Sequence, residues 1–190
     1  MTRFWLVRHG PTHARGMVGW TDLPADLSDL AALDRLNAFL PHDAPVISSD
    51  LCRAVATADV LGRRRLTHDP GLREMNFGAW EMRLHAELEA ESPDLIRAFW
   101  ERPGEIRPPG GESWLDMSAR VCAALERLNG EAPEVIVVAH FGPILAGVQR
   151  ALKASACEVL AHRIDNLSVT CLEIGAGAAP GRLHRINHIP

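Results

Sequence analysis

Residues 134–140 read EVIVVAH, and they decide the fold. A strand with one wet face alternates apolar and polar residues. The unbroken run 135–138 predicts instead a strand buried on both faces, as in a parallel sheet covered by helices. Working outward, SWLDMSARVCAALERL (113–128) predicts a helix before it, and another follows over about 143–153. Farther upstream, TRFWLVR (2–8) and PVISS (45–49) predict two more strands. Helices follow each: SDLAALDRLNAFL (28–40), capped at Ser28, and SDLCRAVATADVLGRR (49–64). Leu30, Leu33 and Leu36 fall on a helical repeat in the first, and the second puts Ala54, Val55, Ala58 and Leu61 toward the core.

The segment LTHDPGLREMNFGAW (66–80) is broken by Pro70, Gly71 and Gly78 and reads mostly as loop. Residues 81–102 read largely as helix, interrupted near Ser92-Pro93, and RPGEIRPPGGES (102–113) is a linker that caps the next helix. NLSVTCLEIG (166–175) and GRLHRINHI (181–189) alternate well enough for two strands, joined by a turn at AGAAPG (176–181). This order predicts an α/β protein: a single three-layer α/β/α domain over 1–190 with a mostly parallel central sheet and an antiparallel margin. Residues 80–115 form a small helical lid on it.

Composition narrows the function. At 190 residues, 47% of them apolar, the chain is long enough for one well-buried core. A net charge of -4 gives no broad surface for nucleic acid, although local charge can still favour a small anionic ligand. FWLV and VIVV are far too short to cross a membrane, and no long apolar segment follows a basic start. Cys52, Cys122, Cys157 and Cys171 form no CxxC pair and read as reduced apolar fillers, so a cytoplasmic protein is expected.

In parallel sheets ligands gather beyond the carboxyl ends of the strands. Here those ends carry Arg8-His9-Gly10, then Ser48-Ser49 with Arg53 one turn on, then His140-Phe141-Gly142. Arginine offers a planar fork of donors matched to phosphate oxygens, and histidine offers a nucleophilic nitrogen or a proton. Each residue alone has an ordinary reading: an exposed loop residue, a solvent-facing helix arginine, a satisfied core histidine. Their coincidence at one sheet edge favours a site. His9, His13 and His140 could imitate a metal triad, but no carboxylate or cysteine accompanies them at a characteristic spacing. Neither GxGxxG nor GxxxxGK[ST] occurs.

LVRHGPT, SSDLCRAVATA, LREMNFGAWE, PPGGES and VVAHFGP together resemble the motifs of the histidine phosphatase superfamily, over roughly residues 3–150. That phosphohistidine-forming group includes the cofactor-dependent phosphoglycerate mutases. The chain looks most like its small-phosphatase branch, with the α-ribazole and broad-specificity phosphatases. The resemblance implies that His9 is the nucleophile, that Arg8, Arg53 and a protonated His140 hold the phosphoryl oxygens, and that Glu74 protonates the leaving oxygen. Thr12 and Gly10 become supporting donors, and Ser113 a weaker one. It implies a small phosphorylated metabolite as partner, and neither metal nor cofactor.

Three departures mark this chain. Pro11 stands where the family often has glutamate, which removes one N–H and restrains the loop. Phe141 puts a large apolar group beside His140, turned either into the core or toward the pocket. GWTDLPADLSD lacks the usual later glycine and glutamine, and its Trp20 faces either substrate or sheet. In the lid, Arg83 is in reach of a substrate carboxylate or simply solvated, and Trp100 and Trp114 form an apolar wall or pack. So short a lid favours phosphatase over mutase. A weakly active phospho-ligand-binding regulatory protein is the reading from another class. The terminal strands leave a homodimer open.

Overall fold

The parallel centre forms as the apolar runs require. The computed structural model describes residues 1–177 and 179–190; Ala178, in the expected turn, lies outside the described residues. β1 (Arg3–Arg8), β2 (Val46–Ser48), β3 (Glu134–Ala139), β4 (Val169–Glu173) and β5 (Arg182–His188) make one sheet in the order β2-β3-β1-β4-β5. β2, β3 and β1 run parallel, while β4 and β5 add an antiparallel margin beside β1.

Strand alternation sorts the core into two layers. Phe4, Leu6, Val135, Val137 and Leu172 pack with Met117, Val121 and Leu125 of α5 (Trp114–Leu128) and with Ile144, Leu145 and Val148 of α6 (Phe141–Leu152). Val7, Ile136, Val138 and Val169 face the other way, onto Leu36 of α1 (Leu30–Phe39) and Ala54 and Ala58 of α2 (Cys52–Asp59). Fully burying each large aliphatic side chain contributes about 1.5–3 kcal/mol. That is why β3, with apolar residues on both faces, sits in the interior of the sheet.

The segment 80–115 holds α3 (His85–Glu91) and α4 (Pro93–Glu101), divided where expected because Pro93 is suited to a first helical position. The segment before it contains two single 3-10 turns, Pro70–Leu72 and Gly78–Trp80. Two local expectations are corrected. α1 is capped by Asp29, whose carboxylate accepts the Ala32 N–H at 3.0 Å, so the helix starts later than Ser28 and Leu30 turns outward, 69% exposed. A further helix, α7 (Ala156–Leu160), opens on a Ser155–Glu158 capping box that was legible as S-x-x-E. The four cysteines are free; Cys171 is buried, but Cys157 is exposed and fills nothing. Among the described residues no helix is long and apolar enough to cross a membrane.

Candidate active site

Register brings the site together. Arg8 pairs with Ala139, so the next residues, His9 and His140, emerge side by side at one sheet edge, and the His9 N–H donates to Ala139 O at 3.1 Å. Alternation then sets direction. His9 and His140 share the parity of Val7 and Val138, toward α2, and their ring centroids lie 5.0 Å apart. Arg8 shares the parity of Leu6, toward α6. Its guanidinium stands 5.8 Å from the Phe141 ring centroid and donates to Ile164 O at 2.6 Å.

His9 is buried, and its tautomer follows from its partners. Nδ1 lies 2.6 Å from Gly10 O, and a carbonyl only accepts, so the proton is on Nδ1. Nε2 therefore carries the lone pair, which accepts from Arg53 Nε at 3.2 Å. Burial, then the nearby Arg53 and Arg8 charges, lower the His9 pKa to about 3 against the raising effect of the Gly10 bond, so the ring is neutral at physiological pH. His140 is fully buried with Nε2 on the Ser49 hydroxyl at 2.7 Å. Burial foremost, then His9 and the arginines, hold its pKa well below the ordinary value. The ring is therefore biased toward neutrality in the free site, since a third cation beside two guanidiniums needs an anion to balance it.

Arg53 is not a surface residue: it is 1% exposed. Its remaining forks donate to Thr21 O at 2.9 Å and Gly19 O at 2.6 Å, which aims Nε at His9. Those carbonyls are fixed in turn by Glu81. Its carboxylate accepts from the N–H groups of Gly19, Trp20, Thr21 and Phe77 and from the Thr21 hydroxyl. Burial would raise the Glu81 pKa, but those bonds together leave it lowered and the group ionised. Only glycine fits at 19, where a Cβ would stand 2.0 Å from Met75 O.

Glu74 has the opposite environment. Its carboxylate accepts only backbone N–H groups, from Met75 at 2.9 Å and from Gly142, in the first turn of α6, at 3.1 Å. Burial dominates and raises its pKa; the two amides, Arg8 and Arg53 only partly oppose it. Gly142 permits this seat, because a Cβ there would lie 2.4 Å from Glu74 Oε1. Arg120 of α5 pins the loop that carries Glu74, donating to the carbonyls of Gly71, Arg73 and Glu74 and to Glu112.

The other expected residues divide. Gly10 spends its N–H on Thr57 Oγ1 at 3.0 Å and its carbonyl on His9. Thr12 lies half-buried in the same loop. Trp20 donates from Nε1 to Glu74 O at 2.8 Å and stacks under Arg73, so it braces the acid's loop. Ser113 is buried in a capping box with Asp116. Arg83 is ion-paired with Glu91 and Glu87 on the outside of the lid. Phe141 lines a cavity with Glu74. His13 stands apart from the two buried histidines, its Nε2 on Asp26 at 2.8 Å.

Glu81, Arg120, Thr57 and Asn166, which donates to His9 O at 2.8 Å, were missed by sequence reasoning. One signal was available: an arginine at 120 interrupts the apolar helix face of Met117, Val121 and Ala124.

A strand-end histidine whose Nε2 lone pair meets the buried Arg53, beside half-buried Arg8, a second buried histidine and a buried carboxyl, is a constellation suited to a phosphoryl group. The sequence pattern of the histidine phosphatase superfamily (branch 1) matches residues 4–188, and the chain belongs to that family. Among curated relatives, the adenosylcobalamin/alpha-ribazole phosphatase of Salmonella typhimurium is 31% identical, with 93% of each chain covered. The bifunctional protein Rv2228c of Mycobacterium tuberculosis is 34% identical over 96% of this chain and 53% of its own. The chain thus spans about half the length of the first curated relatives it matches. Among solved structures, mycobacterial glucosyl-3-phosphoglycerate phosphatase superposes with a TM-score of 0.82 at 30% identity, covering 100% of both chains.

Proposed function

We propose that this chain is a phosphatase that hydrolyses a small phosphate monoester through a phosphohistidine on His9, needs neither metal nor cofactor, and works in the cytoplasm. The observation that carries the reading is the pair of opposite protonation biases at one sheet edge. His9 is held neutral with its lone pair on Nε2, and Glu74 is biased to keep a proton. A phosphate monoester dianion repels anionic nucleophiles, and a neutral imidazole escapes that repulsion.

In the first step the Nε2 lone pair forms the N–P bond as the ester P–O bond breaks, and the Glu74 carboxyl proton passes to the departing oxygen. Arg53 shifts its Nε–H from His9 to a phosphoryl oxygen, while Arg8 and His140 contact the others. Arg8 Nε and His140 Nδ1 are buried without partners, a cost that a seated phosphoryl group relieves. In the second step water attacks phosphorus, Glu74 takes its proton, the N–P bond breaks and His9 is regenerated with release of phosphate. The guanidiniums supply the charge stabilisation throughout.

The test is release of inorganic phosphate from a panel of monoesters, unaffected by chelator, alongside assay of exchange between 2- and 3-phosphoglycerate. Phosphate release without exchange supports the reading, exchange without net release makes the chain a mutase, and neither, in folded protein, makes it a phospho-ligand binder.

A further inference from the structure

Beside the phosphate cradle lies a second compartment, and it is almost wholly apolar. A cavity of about 50 Å³ is bounded by Glu74 and Phe141 at one end, by Phe99 and Trp114 on its buried side, and by Trp100 and Ile106 from the lid. Glu74 is the only titratable group in that lining. Arg83 pairs with Glu91 and Glu87 and Arg107 with Asp116, and neither Arg97 nor Arg102 is in the lining.

Resting on the phosphatase reading, we propose that this chamber receives the alcohol portion of the substrate, and that the substrate class is a phosphate monoester of a short aliphatic alcohol rather than of a sugar acid or polyol. The group that protonates the leaving oxygen must stand beside the leaving alcohol, and Glu74 stands at the chamber's end. An alcohol seated there meets Phe141, Phe99, Trp100, Trp114 and Ile106. A carboxylate placed there meets no cation and faces the Glu74 carboxyl. Hydroxyl groups lose water and find few partners. Phe141 thereby has a specificity role: it separates Arg8 from the apolar space and forms part of that space's wall. At 10–15 Å³ for each water-sized sphere the chamber holds about three to five of them, so it suits a chain of up to about four carbons and is too small for a ring.

The test uses n-alkyl phosphonates, whose C–P bond is not hydrolysed, with binding to the full chain measured by calorimetry from methyl to hexyl. Affinity rises about fourfold per methylene and levels off near butyl. In Ile106→Asp and Trp100→Ala the rise per methylene flattens while methylphosphonate affinity is retained, which separates loss of the chamber from loss of fold. A flat series in the unsubstituted protein, or tighter binding of 3-phosphoglycerate than of butylphosphonate, overturns the proposal. Because binding is read without turnover, failure of the phosphatase reading shows separately, as absence of phosphate release from butyl phosphate.

Discussion

The two compartments of the site are built on opposite principles. The cradle is made of the buried polar groups His9, Arg53 and His140 and the half-buried Arg8, each aimed by strand parity, a carbonyl or another side chain. The chamber is walled mainly by aromatic and aliphatic groups from α4 to α7, the linker and the loop after Glu74, with no such network. Polar groups that meet a transition state must be placed before it arrives, because reorganising them at that moment costs rate. Apolar walls need only shape and dryness. Glu74 lies on the seam, its carboxylate tied to the Met75 and Gly142 amides, which line the chamber with it.

Substitutions on each side of that seam have different signatures. The largest effect is expected from His9→Ala, which leaves the arginines in place but removes the nucleophile: kcat falls by roughly four orders of magnitude or more, with the melting temperature little lowered. Glu74→Gln comes next. It costs about 10²–10⁴-fold on alkyl phosphates and much less on p-nitrophenyl phosphate, whose leaving group departs without a proton. Equal losses on both substrates would move Glu74 out of the proton-donor role and into the cradle.

Glu81 touches neither compartment directly, yet it holds the loop whose carbonyls aim Arg53. Glu81→Ala should lower kcat/KM about 10- to 100-fold through KM and kcat together, with the pH profile unmoved and part of the loss restored in Glu81→Gln. A shifted profile would make Glu81 a proton-transfer group instead.

The last effect is read in stability against pH, not in rate. His9 has a folded pKa of about 3 against an ordinary value of 6.5, so below that ordinary value the unfolded chain binds a proton that the native chain refuses. Stability from this group is therefore complete above about pH 6.5 and is lost as pH falls toward 3, by about 1.4 kcal/mol per pH unit. Denaturant melts between pH 7 and 4 check the slope, which His9→Asn should reduce. Glu74 works in the other direction: with its folded pKa raised, its contribution is present at low pH and fades as pH climbs through that raised value.

The cradle was far more legible in the sequence than the chamber, for a physical reason. Strand ends are fixed by apolar runs, and parity then places His9, Arg8 and His140 without further information. The α5 cap at Ser113 and the break at Ser92-Pro93 were likewise written locally, in residues a few positions apart. Glu81, by contrast, acts across about 60 residues on Gly19 and Thr21, and Arg120 acts across nearly 50 on the Glu74 loop. No local pattern encodes such closures. Trp20 and Phe141 were undecidable for the same reason: whether an aromatic ring faces core, loop or cavity depends on how the lid folds back. The misplaced cap of α1 is a smaller case, in which Ser28 and Asp29 were both competent and the geometry of the Asp26 turn chose the second.

The central claim, covalent catalysis on His9, is tested most directly by trapping the intermediate. The protein is mixed briefly with a ³²P-labelled monoester and quenched in alkali. The account predicts a protein-bound label that survives alkali, is lost in acid, maps to the peptide containing His9 and is absent from His9→Ala. Rapid phosphate release with no such label, or a label that persists in His9→Ala, would contradict it.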